Sequence, residues 1–213
     1  MKILKTVSVV DALTDSLRRA ILDGEVQAGA ALTEGDIAEE YDVSRPTARA
    51  AIGVLTQQGL LRREAHKAAR VPGLSHVDVE DLFFVRITLE LEAIRVIVST
   101  GKVPEAAGKA IEDLKDLPSD AARSAFVEAD LRFHRALIQA VRSPRLERVY
   151  SDLSGEIHLS MVQAQKAMGY DRVVAEHSAI FGAVAQTDVD LAQSLMRTHL
   201  EGARAALLEE LSI

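Results

Sequence analysis

The chain carries the run Asp42-Val-Ser-Arg-Pro-Thr-Ala-Arg49, followed directly by a stretch of small and apolar residues. Ser44 is a favourable N-cap, and Pro46 falls in the first helical turn, where a missing N–H costs nothing. Apolar residues then recur at the spacing of one helix face, at Ala48, Ala51, Ile52 and Leu55. The pattern predicts the turn and second helix of a helix-turn-helix, whose first turns contact base edges in the major groove of DNA.

The residues around this run predict a complete winged helix-turn-helix. Apolar spacing indicates a helix over 8–23, and a short helix over about 35–41 precedes the turn. The recognition helix is expected to end near Gln58. Two short strands, over 60–63 and 69–71, then form the wing.

The rest of the chain predicts helices with short connections. The expected spans are 78–100, a short helix after Pro104, then 119–142, 144–168, 172–186 and 188–210. We therefore expect a mainly α protein, in which an N-terminal winged helix-turn-helix with a small β-wing precedes a C-terminal all-α antiparallel helical bundle. The expected domains are 1–72 for DNA binding, 73–77 as linker and 78–213 for the bundle.

Length and composition limit the class of protein. The 213 residues allow two small domains, and the absence of Cys excludes disulfides and thiolate metal sites. No apolar run approaches the roughly 20 residues that span a bilayer, and the start lacks a signal-peptide pattern. We expect a cytoplasmic protein without a membrane partner.

The formal net charge of −7 hides an uneven distribution. Residues 44–70 carry six basic groups against one acidic group, a net charge of +5, so the rest of the chain is strongly acidic. Positive charge is therefore concentrated where the predicted helix and wing would meet DNA.

A second candidate site lies in the bundle. Asp130 and His134 are four residues apart and share one helix face, the spacing of two ligands to one metal. Alone, such a pair is usually a surface hydrogen bond. His177 and His199, however, lie within apolar patterns on two later helices. A divalent cation would offset the cost of burying these groups, and the alternative is a metal-free polar network.

Both halves together resemble GntR-family transcription regulators of the FadR-like subgroup, whose C-terminal half is the helical FCD ligand-binding domain. The N-terminal similarity rests on Ala20-Ile-Leu-Asp-Gly-Glu25, Leu32-Thr-Glu34, Val43-Ser-Arg45, Arg49 and Gln58-Gly-Leu-Leu61. The C-terminal similarity rests on Asp130-Leu-Arg-Phe-His134, Ser143-Pro144, Glu176-His177, Asp188 and Met196-Arg-Thr-His-Leu200. The chain departs from the family pattern in having no glycine at the wing tip, 65–68, and Ala28-Gly29 in place of the usual Pro-Gly.

Arg49 is the main candidate for DNA contact, because a guanidinium can bind guanine O6 and N7 together. The resemblance places Arg45 and Thr47 beside it, and the predicted wing adds Arg63, His66 and Lys67 as candidates for DNA contact. Alternatively, Arg45 and Arg49 form a solvated face and pair with Glu34 or Asp42, and the wing is a solvated hairpin.

The resemblance also implies a ligand site in the bundle. It makes the metal ligands Asp130, His134, His177 and His199, and nitrogen-rich ligation suits zinc, nickel, cobalt or manganese. It places Arg86 in the cavity as a clamp for a carboxylate effector, and His158 is a second candidate for the cavity wall. The alternatives are a surface pair of Arg86 with Glu90 and a core histidine at position 158.

We thus expect a DNA-binding transcriptional regulator and not an enzyme. As a homodimer it would bind a near-palindromic operator in double-stranded DNA and repress transcription until a small carboxylate metabolite binds at the metal site. Two alternatives treat the metal as the signal itself or as purely structural. A metal-dependent enzyme is a further alternative with little support.

Overall fold

The computed structural model describes residues 8–64, 67–118, 121–163 and 169–212. The chain divides into two compact units, of which the first ends at Gly73 and the second begins at Leu74. The first unit contains α1 (Val9–Leu22), β1 (Ala31–Leu32), α2 (Glu34–Glu40), α3 (Arg45–Gln57) and β2 (Ala69–Arg70).

The predicted helix-turn-helix is confirmed as α2, a turn and α3. The side chain of Ser44 accepts a hydrogen bond from the backbone N–H of Thr47 at 3.2 Å, which caps α3. Asp42 occupies the turn with a φ of 50°, in the left-handed region. Helix α3 packs against both α1 and α2 through its buried face, made of Ala48, Ala51, Ile52 and Leu55.

The small sheet differs from the expected two-stranded wing. Strand β2 pairs antiparallel with β1, and Ala31 lies opposite Arg70. The predicted strand over 60–63 contributes only an isolated bridge, in which Arg62 and Arg70 exchange N–H···O bonds of 2.8 and 2.9 Å. Leu60 and Leu61 are both buried, so this segment continues the core and lacks the alternation of a strand with one solvated face.

The second unit is the predicted bundle, with six helices in its described residues. They are α4 (His76–Thr100), α5 (Glu105–Lys115), α6 (Arg123–Ala140), α7 (Pro144–Gln163), α8 (Tyr170–Ala185) and α9 (Val189–Leu211). Helix α4 begins inside the expected 73–77 linker, because Ser75 and Asp78 form a reciprocal capping box that starts the helix at His76.

Helix α4 lies at the centre of the bundle, in contact with α6, α7, α8 and α9. This arrangement brings together residues that are distant in sequence, and α4, α6, α8 and α9 all contribute buried polar side chains. Among the helices in the described part of the chain, none is both long and apolar enough to cross a membrane.

Candidate metal centre and nucleic-acid interface

Four buried side chains meet in the middle of the bundle. They are Asp130 and His134 on α6, His177 on α8 and His199 on α9, and none is more than 2% exposed. Each offers one possible ligand atom, and these atoms all lie within 4.8 Å of one another. The structure therefore brings together the four residues that the sequence singled out.

The Nε2 atoms of the three histidines converge. Nε2 of His199 lies 3.3 Å from Nε2 of His134 and 3.3 Å from Nε2 of His177. Nε2 of His177 lies 3.3 Å from Oδ1 of Asp130, and Nε2 of His134 lies 3.8 Å from Oδ2 of the same carboxylate. Nitrogen and oxygen atoms suited to bind one cation thus share a small buried space.

Carboxylates outside the cluster determine which ring nitrogen carries the proton. Nδ1 of His134 lies 2.5 Å from Glu90 Oε2, and Nδ1 of His199 lies 2.7 Å from Glu176 Oε2. An ionised carboxylate only accepts hydrogen bonds, so each Nδ1 donates and the lone pair of a neutral ring is on Nε2. The Nε2 lone pairs of His134 and His199 then face each other, and a cation between them would relieve the repulsion.

The charges of these groups agree with that assignment. Burial raises the pKa of Glu90, but the nearby His134 and Arg86 lower it more strongly, so its pKa lies well below the ordinary value and it stays ionised. Burial lowers the pKa of His134 and shifts the pKa of His177 well below its ordinary value. Both rings are therefore neutral near pH 7, the form in which imidazole binds metal ions.

Asp130 gives the clearest evidence for a missing partner. Both of its carboxylate oxygens are buried and have no hydrogen-bond partner among the described residues, and the same holds for Nδ1 of His177. A buried carboxylate without partners is costly, so a cation is the simplest group that satisfies it. The donor set of one carboxylate and three imidazoles fits a divalent transition metal.

Arg86 is buried, and so is its ion pair with Glu90. Arg86 Nε donates to Glu90 Oε1 at 2.7 Å, and the hydroxyl of Tyr150 donates to the same oxygen at 2.8 Å. Among the described residues, Nη1 of Arg86 has a hydrogen-bond contact only with the sulfur of Met161, at 3.9 Å, and its buried Nη2 has no hydrogen-bond partner. The expected alternative pair of Arg86 with Glu90 is therefore present, but it is buried and does not lie at the surface.

His158 is 8% exposed on α7. Its Nδ1 lies 3.6 Å from Glu128 Oε2, its buried Nε2 has no hydrogen-bond partner within the described ranges, and burial lowers its pKa. Its closest charged contact in these ranges is thus with Glu128 and not with the four-residue cluster. Its place in an effector cavity stays a prediction.

The candidate DNA-contacting residues lie on an exposed face of the first unit. Arg49 forms the expected alternative pair with Glu34, its Nη2 lying 2.8 Å from Oε2, yet its side chain is 69% exposed. Arg63 Nη2 also reaches Glu34, at 3.3 Å. Arg45 is exposed at the start of α3, and the Thr47 hydroxyl lies 2.8 Å from Ser44 Oγ.

In the wing, Lys67 pairs with the exposed Glu64 at 2.5 Å, and its carbonyl accepts from Arg63 Nε. His66 lies outside the described residues. The side chains of Arg63, Glu64 and Lys67 are therefore charged and exposed, as both the DNA-contact and the plain hairpin interpretations require.

Three glutamates organise these sites. The sequence indicated Glu34 and Glu90 only as partners in alternative ion pairs, and it gave Glu176 no role. Glu34 accepts hydrogen bonds from Arg49 and Arg63. Glu90 and Glu176 accept hydrogen bonds from the Nδ1 atoms of His134 and His199. Glu90 follows Arg86 by one helical turn, and this spacing indicated their pairing. The contact of Glu90 with His134 joins two helices, so no pattern in the sequence around either residue indicates it.

Comparisons with known proteins agree with this architecture. Residues 10–71 match the family model of bacterial regulatory proteins, gntR family, and residues 81–202 match the FCD domain. A probable D-xylose utilization operon transcriptional repressor of Paenarthrobacter nicotinovorans is 26% identical over 200 residues, which cover 93% of this chain and 88% of that protein.

Two solved structures are also similar. One is a putative GntR transcriptional regulator from Rhodococcus sp. RHA1, with a TM-score of 0.80, 26% identity and coverage of 94% of this chain and 97% of that one. The other is the Zn²⁺-bound FCD domain of TM0439, with a TM-score of 0.55, 19% identity and coverage of 65% of this chain and 97% of that one. The second likeness concerns the fold alone.

Proposed function

Because this chain belongs to the GntR family of bacterial regulatory proteins and carries a C-terminal FCD domain, we propose that it is a metabolite-responsive repressor. The proteins it matches are transcriptional regulators and not enzymes. As a homodimer, it binds a near-palindromic operator through residues 1–72, and the helical part from residue 78 onward dimerises and binds a small carboxylate. The linker between them is short.

The exposed basic face of the first unit supports the DNA-binding part of the proposal. Arg45 and Arg49 project from the first two turns of α3, the part of a recognition helix that contacts base edges. Thr47 lies between them, and Arg63 and Lys67 add positive charge from the wing. Two such modules on a twofold axis suit two half-sites of one operator.

The metal part rests on one observation, the buried Asp130 carboxylate whose two oxygens have no hydrogen-bond partner beside three converging imidazoles. We assign Asp130, His134, His177 and His199 as ligands of a resident zinc, nickel, cobalt or manganese ion. The zinc-bound FCD domain of TM0439 supports such an ion in this fold. When bound, the ion would supply positive charge for an anionic effector.

Charge balance supports a carboxylate as the effector. With neutral histidines, Arg86, Glu90 and Asp130 together carry a formal charge of −1, which a divalent cation changes to +1. A monocarboxylate then restores neutrality in a buried environment, where net charge is costly. The Nη1 and Nη2 atoms of Arg86 form the edge of the guanidinium that binds carboxylates with two parallel hydrogen bonds.

Effector binding and operator binding are linked in this proposal. A carboxylate that releases the operator must bind the DNA-bound protein less tightly than the free protein, and DNA must weaken carboxylate binding by the same factor. We propose that binding of the effector relieves repression.

Native mass spectrometry of untagged protein purified without a chelator tests the proposal, followed by the same sample under denaturing conditions. We expect a dimer with one metal ion per subunit and an additional small-acid mass. A metal-free subunit that takes up no zinc, nickel or manganese would refute the metal assignment and leave the DNA-binding assignment standing.

Operator affinity before and after chelation separates the roles of the metal. A resident cofactor predicts that the carboxylate response disappears on chelation. If affinity follows free metal without any carboxylate, the metal is itself the signal. If chelation lowers only the melting temperature, the metal is structural.

A further inference from the structure

We infer that Glu90 is a positioning residue that couples the proposed metal ligands of the bundle to Arg86, the proposed carboxylate clamp. It holds His134 toward the metal through one carboxylate oxygen and holds Arg86 toward the anion through the other. The identity of the two ligands rests on the proposed function, whereas the positioning of the two side chains can be tested without either ligand.

Glu90 is fully buried at 0% exposure, and its two oxygens have different partners. Oε2 accepts from Nδ1 of His134 at 2.5 Å. Oε1 accepts from Nε of Arg86 at 2.7 Å and from the hydroxyl of Tyr150 at 2.8 Å. One planar group is thus held from three helices, α4, α6 and α7.

On the metal side, Glu90 stabilises the Nδ1–H tautomer of His134, in which Nε2 can bind a metal ion. The carboxylate needs a proton on Nδ1, so it leaves the lone pair of the neutral ring on Nε2, the atom that faces His199 at 3.3 Å. The short contact also fixes the orientation of the ring. Outer carboxylates of this kind commonly raise the metal affinity of a histidine ligand.

On the anion side, Glu90 holds the guanidinium of Arg86 by its Nε and leaves the terminal edge available. Among the described residues, Nη1 on that edge has a hydrogen-bond contact only with the sulfur of Met161, and Nη2 is a buried donor with no hydrogen-bond partner. A planar carboxylate suits two adjacent donors of this kind.

Glu176 provides an internal comparison. It holds Nδ1 of His199 at 2.7 Å and also pairs with Arg172, but it is 25% exposed and Arg172 is 54% exposed. Its second partner is therefore a solvated side chain. Among the described carboxylates that hold the cluster, Glu90 is the one that joins a histidine to a buried cation.

The contacts with Arg86 and His134 involve the two oxygens of one rigid carboxylate. A change in the hydrogen bonds at Oε1 therefore also shifts the position of Oε2. Anion binding at Arg86 is therefore expected to alter metal affinity, and metal binding must alter anion affinity by the same factor. A glutamine in place of Glu90 cannot serve both sides, since its NH₂ group would face either the Nδ1–H of His134 or the Nε–H of Arg86.

The test compares Glu90→Gln with Glu92→Gln, a matched control on the same helix whose exposed carboxylate pairs with Arg95. In metal-free protein, ¹⁵N NMR of the imidazole nitrogens should find the Nδ1–H form of His134 in the wild type and in Glu92→Gln. Glu90→Gln should lose that form or show a mixture of tautomers.

Zinc calorimetry on the same proteins should give an affinity about 10 to 100 times weaker for Glu90→Gln, with Glu92→Gln unchanged. Acetate is the carboxylate probe, with ionic strength held constant. Acetate should shift the zinc affinity of the wild type and of Glu92→Gln by the same factor, and the shift should be smaller in Glu90→Gln, where only the direct attraction between metal and anion remains.

Unchanged zinc affinity and an unchanged His134 tautomer in folded Glu90→Gln would overturn the inference. A wild-type protein that binds none of zinc, nickel, cobalt and manganese would instead contradict the metal part of the proposed function, and the tautomer measurement would still test Glu90. If Glu90→Gln does not fold, Tyr150→Phe removes one hydrogen bond to Oε1 and keeps the charge. It should weaken zinc binding severalfold, and an unchanged affinity would overturn the inference.

Discussion

The carboxylate of Glu34 accepts hydrogen bonds from Nε and Nη2 of Arg49, at 3.0 and 2.8 Å, between the two helices of the helix-turn-helix. Glu34 also accepts from Arg63 Nη2 at 3.3 Å, and the hydrogen bond from Arg49 is the main cause of its lowered pKa. One ionised carboxylate thus sets the direction of two candidate DNA-contacting side chains. It also opposes their attraction to phosphate.

Replacing Arg49 tests the recognition-helix assignment. We expect Arg49→Ala to lower operator affinity by at least about tenfold, because a guanidinium contact to a base edge or phosphate is lost. Fluorescence anisotropy with an operator selected by the wild-type protein measures this, and circular dichroism checks the fold. Arg95→Ala, at an exposed residue of the bundle, is the control. Unchanged affinity in Arg49→Ala would refute the assignment.

Replacing Glu34 should have the opposite effect on non-specific binding. Glu34→Gln removes a negative charge beside Arg49 and Arg63, so we expect tighter binding to random-sequence DNA and a steeper dependence on salt. Glu92→Gln controls for the general loss of one negative charge. Weaker binding to random DNA would mean that Glu34 acts mainly by orienting the two arginines.

Replacing His134 tests the metal centre. We expect His134→Ala to lose stoichiometric metal, because one of the three converging Nε2 atoms is removed. Elemental analysis by plasma mass spectrometry gives the metal content of each protein. His76→Ala, at an exposed histidine next to Ser212, should keep its metal. A fully loaded His134→Ala protein would place the metal elsewhere.

A conservative change at Arg86 tests the anion clamp. Arg86→Lys keeps the positive charge beside Glu90 but cannot make two parallel hydrogen bonds to a carboxylate. We expect operator binding to be retained, zinc affinity to shift because Glu90 Oε1 loses its Nε–H donor, and carboxylate affinity to fall by about tenfold. Titration calorimetry with the acid identified by mass spectrometry measures the loss. A wild-type response in this variant would exclude Arg86 as the clamp.

The metal-free protein should lose stability as the pH falls. Burial lowers the pKa of His134 and His177, so the unfolded chain takes up protons at a higher pH than the folded chain. The stabilisation is therefore complete above the ordinary histidine pKa of about 6.5 and is lost progressively as the pH falls below it. Thermal unfolding in the presence of a chelator measures this trend, and His76→Ala should leave it unchanged. Stability that rises toward pH 5 would contradict the prediction.

Sequence patterns predicted the helices and indicated the cluster of Asp130 with three histidines for related reasons. The four-residue spacing of Asp130 and His134 is a helix repeat, and so is the apolar spacing of α3. The sheet was only partly predicted, because a two-residue strand at Ala31–Leu32 has no readable alternation. The Glu90, Tyr150 and His134 network joins three helices, so only the folded chain brings these residues together.

Strand β2 lies between two partners, since the backbone of Arg70 bonds to Arg62 on one side and β2 pairs with β1 on the other. The backbone N–H of Val71 extends the second pairing to the carbonyl of Ala30, at 3.1 Å. A peptide ending at Gln58 would contain both helices of the helix-turn-helix but would lack the partner of β1. The smallest fragment expected to fold by itself therefore extends through Val71. During synthesis on the ribosome, this unit can complete its structure only after that residue has emerged.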